Sequence, residues 1–183
     1  MKFIRKSSAE EYAHSFWVRE NQKNKIPIPS SPLEELNKPK EEGGHPYKLP
    51  SPEFHQWGVW LLTTPAEMEA LMLIQDEYME KAGFLVTPPT LGNVVKRAIE
   101  TDYFGTPKKG TQYRLFHEWR NGVLADRIKG HDRLCLRAVT EDERVRSPMS
   151  LFYVTDGWGR SLPYLTLVTL GHEFFPVEVY IAE

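Results

Sequence analysis

Phe152-Tyr153-Val154-Thr155-Asp156-Gly157-Trp158-Gly159-Arg160-Ser161-Leu162-Pro163 is the stretch on which the fold turns. Leu151 to Thr155 reads as a strand. Two glycines then allow a tight turn with positive φ and bare backbone. Ser161 is a good N-cap and Pro163 suits a first helical turn, so Ser161 to Leu170 reads as a short helix. Phe174 to Ile181 follows as a last strand, and Arg133 to Val139 precedes as a strand with one wet face. Strands and helices in this order predict an α+β domain: a small mixed sheet from the C-terminal half, flanked by helices.

The chemistry of the turn follows from the same residues. A helix N-terminus presents unbonded amides and the positive end of the helix dipole. Arg160 beside those amides makes an anion clamp, and Asp156 either orients the arginine or holds a magnesium ion carried by a polyphosphate. The candidate ligand-binding residues are therefore Asp156, Gly157, Trp158, Gly159, Arg160 and Ser161. A purely steric reading stands beside this one. Asp-Gly and Trp-Gly are ordinary turn dipeptides, Trp158 then covers the core edge, and Arg160 pairs with Asp156.

The order strand, Asp156-Gly157-x-x-Arg160, short helix, Leu170-Gly171, then Pro176-Val177-Glu178-Val179 resembles the core of the ParB/sulfiredoxin-like superfamily. In that family a Gly-x-x-Arg loop opens a helix and binds nucleotide phosphates. The resemblance implies a ParB-like core over residues 130–183 and a nucleotide, with magnesium, as the ligand. Two positions depart from the pattern. Gly159 stands where members commonly carry His or Arg, and Trp158 stands where sulfiredoxins have their catalytic cysteine, so the resemblance does not extend to sulfinic-acid reduction.

Upstream, Ser8-Ala9-Glu10-Glu11 is a capping-box pattern and predicts a helix from about Ala9 to Gln22. Prolines 27, 29, 32, 39, 46, 50 and 52 break regular structure. Residues 1–52 thus read as a helix and a Pro-rich crossing packed on the body, within one domain spanning 1–183. Phe54 to Leu62 reads as a buried strand. Thr64, Pro65 and Glu67 open a helix expected to run to Ala82 on Met68, Leu71, Met72, Gln75, Tyr78 and Met79. Thr90 caps another, to about Tyr103. Tyr113 to Trp119 reads as a strand ahead of an Asn121-Gly122 turn, and Thr140 to Pro148 as a charged connection.

Composition narrows the partners. A net charge of −2 and a pI near 6.3 over 183 residues argue against a nucleic-acid backbone as ligand. Lys108, Lys109 and Arg114, and Arg120 with Arg127, are loose groupings typical of solvated loops. No apolar run spans a bilayer. The one cysteine, Cys135, suits a reducing compartment, so a cytoplasmic location is expected. Histidines 14, 45, 55, 117, 131 and 172 form no metal-ligand spacing. A reactive Cys135 would need Arg133 and Arg137 clustered on its face; a packed thiol is the plainer reading. No complete catalytic set is legible. Two functions remain open: a nucleotide- or phosphate-binding domain, or a non-enzymatic protein-interaction module without a small-molecule site.

Overall fold

Val177-Glu178-Val179-Tyr180-Ile181-Ala182 is rich in β-branched and aromatic residues, which fit a pleated surface, and it lies at the middle of the sheet. The computed structural model describes residues 1–39, 42, 49–50, 54–107, 110–120 and 134–183. Five strands, β1 (Lys2–Ser7), β2 (Trp57–Leu62), β3 (Leu134–Ala138), β4 (Phe152–Asp156) and β5 (Val177–Ala182), pair in the order β1-β2-β5-β3-β4. All neighbours are antiparallel except β3 and β5, which are parallel. The class is α+β with one mixed sheet, but β1 and β2 come from the N-terminal part. The sheet is thus wider than its C-terminal half.

Helices cover both faces. On one side lie α1 (Ala9–Asn24) and α2 (Pro32–Asn37). Tyr12, Ala13, Phe16 and Trp17 of α1 pack with Leu36, Val59, Cys135 and Tyr180. Trp17 Nε1 donates to the Pro32 carbonyl (2.9 Å), tying the two helices together. On the other side lie α3 (Pro65–Glu69), α4 (Glu77–Lys81), α5 (Leu91–Glu100), α6 (Thr111–Glu118) and α8 (Trp158–Thr169), with α7 (Glu141–Arg146) between β3 and β4. Leu134, Leu136, Val177, Val179 and Ile181 meet these helices in the larger core. The period-2 alternation of β5 places Val179 and Ile181 on that side and Tyr180 on the α1 side. Among the described residues no helix is long and apolar enough to cross a membrane.

Several expectations are corrected. The helix expected over 65–82 keeps its capping box at Thr64 and Glu67 but stops at Glu69 and resumes at Glu77. Between them, Met72 N–H donates to the Phe152 carbonyl and Val154 N–H to the Met72 carbonyl, both at 2.9 Å. An extended Met72 thereby covers the outer edge of β4, which a helical one could not do. The methionines are core nonetheless: Met68, Met72 and Met79 are all buried. Residues 113–119 are α6 and not a strand, since Leu115, Phe116 and Trp119 bury one helical face. The stretch 140–148 contains α7, whose Thr140–Glu143 capping box is present. Nor does β3 have a wet face: α1 covers it, so Leu134, Cys135 and Leu136 are all buried. The Asn121-Gly122 turn, Pro46, Pro52, Lys108, Lys109, Arg127, His45, His131 and Arg133 lie outside the described residues.

Candidate functional site

The head of α8 begins with a defect in β4. Cys135 pairs with Asp156 but Leu136 pairs with Val154, so Thr155 is an extra residue on β4. Such a bulge re-aims the side chain beyond it. Phe152 and Val154 point into the larger core, whereas Asp156 turns to the opposite face, toward α1. Thr155 Oγ1 donates to the Cys135 carbonyl (3.0 Å), fixing the irregularity.

Three groups converge on Asp156 Oδ2. Tyr12 donates its hydroxyl at 3.1 Å, Arg19 its Nη2 at 2.8 Å, and Arg160 Nη2 lies 3.6 Å away. Asp156 is only 3% exposed. Burial first, and then the Asp156 charge, push the Tyr12 hydroxyl well above its ordinary pKa, so it stays protonated and donates. The Asp156–Arg160 pair is common to the arginine-orienting role and to the steric reading of the turn. A carboxylate sealed beneath two guanidiniums is not presented as an outward ligand for magnesium.

Cys135 lies in the same buried neighbourhood. Burial raises its thiol pKa far above the ordinary range, which makes it inert. Arg137, expected on its face, instead holds Glu143 through two hydrogen bonds of 2.7 and 2.5 Å.

Gly157 starts α8 in the left-handed region at φ 99°, and no side chain caps the helix. A Cβ there would collide with Leu134, so conformation and packing both require glycine. The helix starts three residues earlier than the sequence suggested. Ser161 is not its N-cap: the hydroxyl is buried and donates to the Gly157 carbonyl (3.1 Å). Trp158, Gly159 and Arg160 therefore form the first turn. Arg160 and Ser161 donate their backbone N–H groups to Gly157 O, at 2.9 and 3.0 Å. Trp158 packs partly against the larger core. Pro163 lies not in the first turn, as the sequence suggested, but inside the helix, where its missing N–H removes the α-helical bond to the Gly159 carbonyl.

Gly159 is different from Gly157. Its backbone is ordinary right-handed helix, and the nearest atom a Cβ would meet is Gln112 Nε2 at 3.5 Å, a normal contact. Neither dihedral nor packing calls for glycine, and glycine in a helix costs about 1 kcal/mol relative to alanine. The Gln112 side chain lies alongside this flank without crowding it.

The structure thus brings five of the six expected residues, 156–160, together at the turn and removes Ser161 into the core. Tyr12 and Arg19 belong to the cluster and were not legible, because they are 144 and 137 residues away in the chain. Three cavities lined by described residues, of about 680, 530 and 240 Å³, are built elsewhere, and none includes residues 156–161. Set against protein-family models, curated proteins and solved structures, the chain matches none.

Proposed function

We propose that this protein receives a phosphate-bearing ligand, a nucleotide or a simpler phosphate, on the first turn of α8, as the likeness of its Asp-Gly-x-x-Arg stretch to ParB/sulfiredoxin-like domains implies. The observation that carries the reading is Gly159. A glycine that no dihedral and no neighbour demands, at the second position of a twelve-residue helix lacking a side-chain cap, puts an amide without a capping side chain at the positive end of the helix dipole, where an anion is favoured. Arg160 adds its charge in the same turn, and its ion pair with Asp156, itself braced by Arg19 and Tyr12, sets its position before any ligand arrives. Preorganised donors of this kind are the ones that bind most effectively.

Isothermal titration with CTP, ATP (each with magnesium) and inorganic phosphate tests the reading. Saturable heat at one site per chain is expected, and it should fall steeply with salt. No heat from any of the three at millimolar ligand would overturn it. Gly159→Ala separates binding from folding: its methyl group shields the amide and should weaken binding, while the fold becomes more stable by about 0.4–1 kcal/mol.

A further inference from the structure

Residues 141–151 expose three large apolar side chains among charged ones. Val145 is 82% exposed, Met149 85% and Leu151 56%. They are not on a loose loop. Ser147 and Ser150 are buried and share a hydrogen bond between hydroxyls (2.7 Å). Ser147 N–H donates to Glu143 O and Val139 N–H to Leu151 O, at 3.2 and 3.0 Å. Arg137 clamps Glu143 and so fastens α7 to β3. Beside the exposed side chains is a cavity of about 240 Å³, lined by Met149, Leu151, Leu71, Phe152, Ala70 and Met1 among others. Met149 and Leu151 thus project beside an apolar hollow on an anchored segment, with Val145 exposed on the helix just before them.

The charges of α7 select the occupant. Glu141 and Asp142 lie at its N-terminal end, Arg144 and Arg146 at its C-terminal end, and all four are exposed. None of their side chains enters a hydrogen bond or an ion pair with the described residues. A uniformly acidic or basic partner would match one end and repel the other. A second α7 running antiparallel matches both, because a two-fold axis through Val145 sets each acidic end against the other copy's basic end. We propose that residues 141–151 are a self-complementary interface through which two copies of this chain associate, Val145 at its centre and Met149 and Leu151 covered on each side.

Sedimentation velocity over a range of protein concentrations is the experiment, with circular dichroism to verify that each variant is folded. The wild-type chain should pass from monomer to dimer as concentration rises. Val145→Asp should lower the association constant by at least about tenfold. Two charge variants sharpen the test. With Glu143 held by Arg137, Glu141→Lys with Asp142→Lys makes the exposed charges of α7 all basic, and Arg144→Glu with Arg146→Glu makes them all acidic, so each alone should be monomeric. Mixed, they should form a one-to-one heterodimer. A wild-type monomer at every concentration, a dimer indifferent to these substitutions, or a mixture that fails to pair would each overturn the proposal.

Discussion

The two faces of the sheet are held by different physics. On the α5 and α8 side, Leu91, Val94, Leu162, Leu165 and Leu167 meet Leu136, Val179 and Ile181, and buried hydroxyls turn to nearby carbonyls: Thr166 donates to Leu162 O at 2.7 Å. On the α1 side a smaller apolar cluster surrounds an ionised group, Asp156, reached from α1 by Tyr12 and Arg19 and from α8 by Arg160. Apolar area is divisible, so a lost side chain costs roughly its own share plus the cavity. A buried ion network is not, because removing one member strands the others. The α1 side therefore has the more specific contacts and the more fragile ones.

The largest expected effect follows from that asymmetry. Asp156→Ala leaves two guanidiniums without their carboxylate and should lower unfolding free energy by about 3–5 kcal/mol in urea titration. Leu165→Ala, fully buried on the other side, should cost about 2–4 kcal/mol. Double variants sharpen the contrast. Asp156→Ala combined with Arg19→Met should cost less than the sum of the two, since one stranded cation is gone, whereas Asp156→Ala with Leu165→Ala should add within about 0.5 kcal/mol.

Acid should also act unevenly. Arg5 holds Glu11 down to about 2, and Arg137 holds Glu143 down to about 2. Both folded-state values are depressed, so the stabilisation is complete above the unfolded value near 4.5 and is lost as pH falls from there toward 2. Glu11 also accepts from Ser7 and Tyr180, joining β1, α1 and β5. Amides of α1 should thus lose hydrogen-exchange protection at a higher pH than those of α5, and Arg137→Met should flatten the acid slope of overall stability. Equal loss in both helices would erase the distinction. The smallest effect is Tyr12→Phe, which removes one hydrogen bond to the ionised Asp156 and should cost about 1.5 kcal/mol.

What could be foreseen divides along the same line. Local signals worked: Ser8 and Thr90 cap α1 and α5 as expected, each accepting from the backbone N–H three residues on. The Met68–Met79 stripe pointed to core but not to its path, because the edge of β4 draws Met72 out of the helix. α6 is legible in the helical spacing of Leu115, Phe116 and Trp119, and α7 in the Thr140–Glu143 capping pair. β1 carried no such signal, since Lys2–Ser7 is almost wholly exposed. Of the site, the glycine turn and Arg160 could be read directly. The bulge at Thr155, which decides where Asp156 points, and its partners in α1 depend on tertiary packing and leave no mark in local sequence.

Amide chemical-shift mapping during a phosphate titration tests most directly whether the head of α8 is a binding surface. The Gly159 amide resonance should move furthest and saturate with the ligand, with smaller shifts at Trp158 and Arg160, and in Gly159→Ala saturation should need more ligand. A Gly159 resonance that stays fixed while others move, or a spectrum indifferent to phosphate, would contradict it.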